Sequence, residues 1–212
     1  GASASAALAG LAAEVVANRT GAEINPRRPG RNSDQSFNGI GVPLLQINHS
    51  RLAEDGGYWW WHTPDDTLDK IDFDVLKTDT DLYADALATL LAAPVLPVDL
   101  VNQVAALGES IARLQPEAAE RFDLTEAGRR QAMLLDLVER VHRDIAQGAI
   151  AEADLELVRI MRPLHRVLYS PSSPFHPDSG LEGGPLPGLA PVGTLSSADP
   201  GSDAYRFAEV TL

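Results

Sequence analysis

Cysteine is absent from the 212 residues, so no disulfide framework, thiolate metal site or thiol nucleophile can form. Any metal must be held by histidine and carboxylate. Long apolar runs are missing as well. No stretch approaches the roughly 20 residues of a membrane span, and no cationic stretch leads an apolar one at the start of the chain. Positive charge is scarce: 17 Lys and Arg stand against 30 Asp and Glu, for a net charge of −13 and a pI near 4.7. That field repels phosphate backbones and anionic membrane surfaces and argues against nucleic acid as a partner. What is present is an ordinary apolar share, 44%, enough for one large or two small domains with a buried core. The opening run from Gly1 to Leu8 reads neither as a signal peptide nor as a natural start, so removed upstream sequence is expected.

Apolar spacing organises the rest. Leu8, Leu11, Val15 and Val16 among alanines predict a helix over Ala6 to Ala17, with Ser5 as its cap, Gly21 as its stop and a small-residue face suited to a sheet. Residues Gly21 to Gln35, rich in Pro, Arg, Asn and Gly, predict a loop. The run Val42 to Ile47 lacks polar alternation and predicts a strand buried on both faces, as in a parallel or mixed α/β sheet. A helix is expected from Phe73 to Leu91, capped by Asp72, with Phe73, Leu76, Tyr83, Leu87, Leu90 and Leu91 on one stripe. Three further stripes predict a helical bundle: Leu100 to Leu114, breaking at Gln115-Pro116; Met133 to Ile145; and Leu155 to Met161, ending before Pro163. The Pro-, Gly- and Ser-dense tail from Ser170 to Gly201 is expected to be irregular. The fold class expected is therefore α/β, part of a sheet over residues 1–94, followed by a helical bundle and tail over residues 95–212.

The stretch from Trp61 to Asp72 holds the most chemistry. His62 sits in a loop, followed by Asp65, Asp66, Asp69 and the helix cap Asp72. A histidine so placed can offer a neutral nitrogen to a metal while a second-shell acceptor orients its ring, and the aromatics Tyr58 to Trp61 would exclude water around it. Spacing alone equally allows a surface-loop histidine beside core tryptophans. The acidic cluster lacks the alternating spacing and central glycine of a calcium loop, and helix-start electrostatics accounts for much of it.

Three stretches carry a family resemblance. His62-Thr63-Pro64-Asp65-Asp66-Thr67-Leu68-Asp69-Lys70-Ile71-Asp72 resembles the C-terminal signature of the M28 peptidases, co-catalytic zinc exopeptidases of a phosphorylase/hydrolase-like fold. Asn32 to Pro43, with Ser33-Asp34 and Gly39-Ile40-Gly41-Val42-Pro43, resembles the segment that leads into a strand near the substrate pocket. Pro163 to Pro174, ending in Pro187-Gly188-Leu189, resembles the stretch after the helical dimerisation domain of transferrin-receptor and glutamate-carboxypeptidase-like members.

The resemblance implies that His62 is the last ligand of a two-zinc centre. The other ligands and the glutamate base lie upstream of the Ser-Asp segment in that family, where Glu14 and Glu23 are the only acids here, so no base is assigned. It also places Arg31, Asp34 and Trp61 against substrate. Trp61 has an N–H donor and no acidic hydroxyl, which favours packing over oxyanion stabilisation. His49, His142, His165 and His176 match no ligand position, and His142 is expected on a solvated face.

The implied function is removal of terminal residues from peptides by a zinc-dependent aminopeptidase, with the isolated segment inactive. A non-catalytic receptor-like or dimerising module and a glutaminyl-cyclase-like transferase share the scaffold. A homodimer through the bundle and an extracellular or periplasmic location follow from family habit.

Overall fold

Apolar residues at helical spacing dominate the chain, and the structure, a computed structural model describing residues 1–30, 36–47, 59–118, 122–171 and 184–212, follows them into helix. Among the described residues helix takes 66% and strand 4%. This overturns the α/β expectation. The one sheet among the described residues pairs β1 (Ala2–Ala4) with β2 (Leu45–Ile47), antiparallel, with Ala2 opposite Ile47. The run Val42 to Ile47 yields so little strand because Pro43 has no N–H to give a ladder. Gln46 points to solvent, so the run is not buried on both faces. The Ile47 N–H goes to the Tyr83 hydroxyl at 3.0 Å instead of to a further strand.

The N-terminal helix enters through a tight turn, Ala6–Leu8, and runs as α1 (Ala9–Thr20). Ser5 does not cap it. Its hydroxyl accepts the Leu44 N–H at 2.9 Å, tying the start of the chain to the residue before β2. Gly21 ends the helix as expected, with φ at +72°. A single turn, α2 (Ser36–Gly39), precedes β2.

Helix α3 (Phe73–Ala92) begins where Asp72 predicts: its carboxylate accepts the Asp74 and Val75 N–H groups at 2.9 and 3.1 Å. Most of the expected apolar stripe nonetheless faces outward, although Leu90 packs against the core and the Tyr83 hydroxyl meets Ile47. Leu82 and Ala86, on the opposite side, are buried in the core, while Phe73, Leu76, Leu87 and Leu91 are exposed. The helix thus has two apolar faces, and only one is covered among the described residues.

The bundle is α4 (Leu100–Ala118), α5 (Thr125–Ala146) and α6 (Ala153–Tyr169). Neither expected proline break occurs. Pro116 and Pro163 lie inside helices; each removes one backbone donor, and burial of Ala118 on one side and His165, Leu168 and Tyr169 on the other holds the following turns. The tail is not wholly irregular. A tight turn, Pro187–Leu189, leads into α7 (Pro191–Ser197), and α8 (Asp203–Thr211) follows. Pro187 and Pro191 occupy first helical positions, where no N–H is needed.

One core joins both halves of the sequence. Leu11, Ala12, Val15 and Val16 of α1 pack in the same cluster as Leu100, Val104, Val138, Leu157 and Met161 of the bundle. A smaller cluster of Ile111, Leu168, Tyr169 and Leu186 lies at the far end of α6. No helix among the described residues is long and apolar enough to cross a membrane.

Candidate metal ligand and the buried histidine

His62 sits in a turn built by its own neighbours. The Thr63 N–H and hydroxyl both donate to the Trp60 carbonyl, at 2.9 and 2.6 Å. The Thr63 hydroxyl accepts the Asp65 N–H at 3.2 Å, and Thr67 returns its N–H to the Asp65 carbonyl at 2.9 Å. These side-chain-to-backbone bonds are the turn-forming habit of Thr and Asp. A tight turn over Leu68–Lys70 then delivers the chain to the Asp72 cap. Asp69 bonds the Lys70 ammonium and the Thr67 hydroxyl, which together hold its carboxyl down at about 2, Lys70 first.

Within this frame His62 adopts φ of +61°, the left-handed region that a β-carbon disfavours. The conformation throws its ring outward. The imidazole is exposed and stacks on Trp61, ring centres 4.0 Å apart at 35°. Neither ring nitrogen has a hydrogen-bond partner among the described residues, so the expected second-shell acceptor is not found there. Trp61 is 60% exposed and Trp59 59%, so these two do not exclude water from the His62 ring as expected, and Tyr58 lies outside the described residues. Arg31, Asp34, His49 and His176 lie outside the described residues.

An accessible imidazole with both nitrogens free is a competent single ligand. A structural or catalytic centre needs three or four, and no group of three or more His, Asp or Glu converges among the described residues. Asp69 is already committed to Lys70 and Thr67. His62 therefore fits as one contributor and not as a centre.

Two other histidines depart from the reading of the sequence. His142 is not on a solvated face. It is half-buried, and its Nε2 accepts the Leu100 N–H at 3.3 Å, closing the first turn of α4. His165 is fully buried on α6, its Nε2 2.6 Å from Asn38 Oδ1 and its ring stacked on Tyr169 at 4.5 Å. Arg28 lies over the other ring of that stack, 4.1 Å from the Tyr169 centre, and its Nη2 donates to the Leu168 and Gly184 carbonyls at 2.6 and 3.0 Å. Burial, and secondly the Arg28 charge, hold the His165 ring neutral down to about 3. Burial raises the Tyr169 hydroxyl and lowers the Arg28 guanidinium. This polar cluster was missed from sequence. Its one signal is that Leu157, Met161, His165 and Tyr169 follow at four-residue steps, a buried stripe continuing through Pro163.

Compared with known proteins, the chain matches no family model, no curated protein and no solved structure.

Proposed function

We propose that this chain contributes His62 as one zinc ligand to a larger M28-type aminopeptidase, whose remaining ligands and general base come from outside these 212 residues. The observation that carries the reading is the His62 turn: a free, outward imidazole held by its neighbours inside the phrase His62 to Asp72. The strained φ supports it, because such backbone conformations cluster where a side chain must be aimed. Zinc, when bound, supplies an activated water and polarises the scissile carbonyl. The chain's own part is to fix one imidazole nitrogen, with Trp61 stacked beside it and the Thr63–Asp65 bonds holding the backbone. The second apolar face of α3, uncovered among the described residues, suits a chain that belongs to a larger protein.

Pairing of two copies through the bundle belongs to the same proposal and draws support from Met133 and Leu137, exposed one turn apart on α5. A dimeric mass in solution is the expected result; a monomer removes that part.

The test is hydrolysis of an aminoacyl-nitroanilide by the protein at its natural length. His62→Ala is expected to abolish turnover while leaving the circular dichroism of the helices unchanged. Full activity in that variant overturns the assignment. No activity in the parent favours the rival reading, a non-catalytic receptor-like or dimerising module.

A further inference from the structure

The last two turns of α6 collect four distant segments. The Ala6 N–H donates to the Tyr169 hydroxyl at 2.9 Å, Arg28 reaches the Leu168 and Gly184 carbonyls, Asn38 meets His165, and Leu186 packs against Leu168 and Tyr169. Residues 36–42 are seated most closely. Gly41, with φ of +82°, lies so near α6 that a β-carbon there would stand 2.9 Å from the Arg162 carbonyl oxygen. The pin of this seat is His165.

Its ring is placed to be neutral. Asn38 Oδ1 accepts a hydrogen bond from the Nε2–H, which leaves Nδ1 a bare acceptor, buried and without a partner among the described residues; the tautomer follows from the bonding network. A second proton would create a buried cation with no carboxylate to balance it among the described residues. The α2 turn offers the neutral Asn38. The segment before it offers the cation Arg28, and α6 itself adds the un-ionised Tyr169. The α4 helix brings Gln103 to the Met161 carbonyl, and the tail brings Leu186. Among the described residues no carboxylate acts on His165, and Arg28 opposes its charging.

We propose that His165 makes this junction an acid-sensitive latch, seating residues 36–42 on α6 while its ring is neutral and releasing them when it is protonated. The sign follows from linkage. Undocked, the ring meets water and takes a proton near its ordinary 6.5; docked, it resists down to about 3. Between those limits only the undocked form gains a proton, so the ratio of undocked to docked rises about tenfold per pH unit as pH falls. Above the upper limit and below the lower one the ratio is flat. The latch stands independently of the peptidase proposal.

Hydrogen exchange on the 212-residue chain tests it, reading the Ile40, Gly41 and Val42 amides, which bond to Phe37 and Asn38 carbonyls at 3.0 to 3.2 Å. With the intrinsic pH dependence removed, their opening is expected to be flat above about pH 6.5 and to rise about tenfold per unit below it. Amides in α1 are expected to lag behind. His165→Gln keeps a neutral donor to Asn38 and is expected to abolish the slope. Asn38→Asp supplies the missing carboxylate and is expected to abolish it too, which decides the matter if His165→Gln fails to fold. A flat wild type, loss from α1 and α2 together, or an undiminished slope in the variant that folds would overturn the latch.

Discussion

His62 and His165 stand in opposite environments in the same chain. His62 is exposed, held by bonds reaching three residues or fewer, and both its nitrogens are free among the described residues. His165 has no exposed surface, and its partner Asn38 is 127 residues away. The first is chemically available and makes no long-range hydrogen bond among the described residues. The second is structurally engaged and chemically silent near neutral pH, because charging it means burying a cation beside Arg28. Availability for metal chemistry is thus set less by residue type than by what the two ring nitrogens already touch.

Variants that attack the buried side should cost most. Leu157→Ala, one turn before Met161 in the joint core, is expected to lose about 2–5 kcal/mol by denaturant midpoint, since a cavity forms where both halves meet. Between about pH 6.5 and about pH 3 overall stability is expected to fall by up to about 1.4 kcal/mol per unit through His165, because the unfolded chain takes the proton first. A stability curve flat across that window would erase the contrast. Tyr169→Phe is expected to cost about 1–3 kcal/mol by leaving the Ala6 N–H without its acceptor. On the exposed side effects shrink. Asp72→Ala should cost about 1 kcal/mol for two lost capping bonds. His62→Gly should shift stability by no more than about 1 kcal/mol, relief of a positive φ offset by added freedom in the unfolded chain. A large loss there would mean that His62 is structural after all.

The same division explains what could be read from sequence. The His62 turn and the Asp72 cap are local, so the spacing of Thr, Asp and Pro announces them. The helices of the bundle follow from periodicity, as does the Gly21 stop. Long-range matters were not legible. Whether the Phe73 stripe turns inward depends on which side of α3 meets α1, and Leu82 and Ala86 take that contact. Pro163 reads locally as a stop, yet the buried contacts of His165 and Tyr169 carry the helix past it. Val42 to Ile47 reads as an inner strand, but among the described residues its only ladder partner is the three-residue β1. His165 passes as an unmatched histidine because its meaning lies in Asn38 and in Arg28 stacked on Tyr169, none of which spacing can bring together.

Zinc content of the protein at its natural length, measured for the parent, His62→Ala and His165→Gln side by side, tests the central claim most directly. Zinc is expected in the parent, with a loss of at least one equivalent in His62→Ala and parental content in His165→Gln at neutral pH. Unchanged zinc in His62→Ala would contradict that claim.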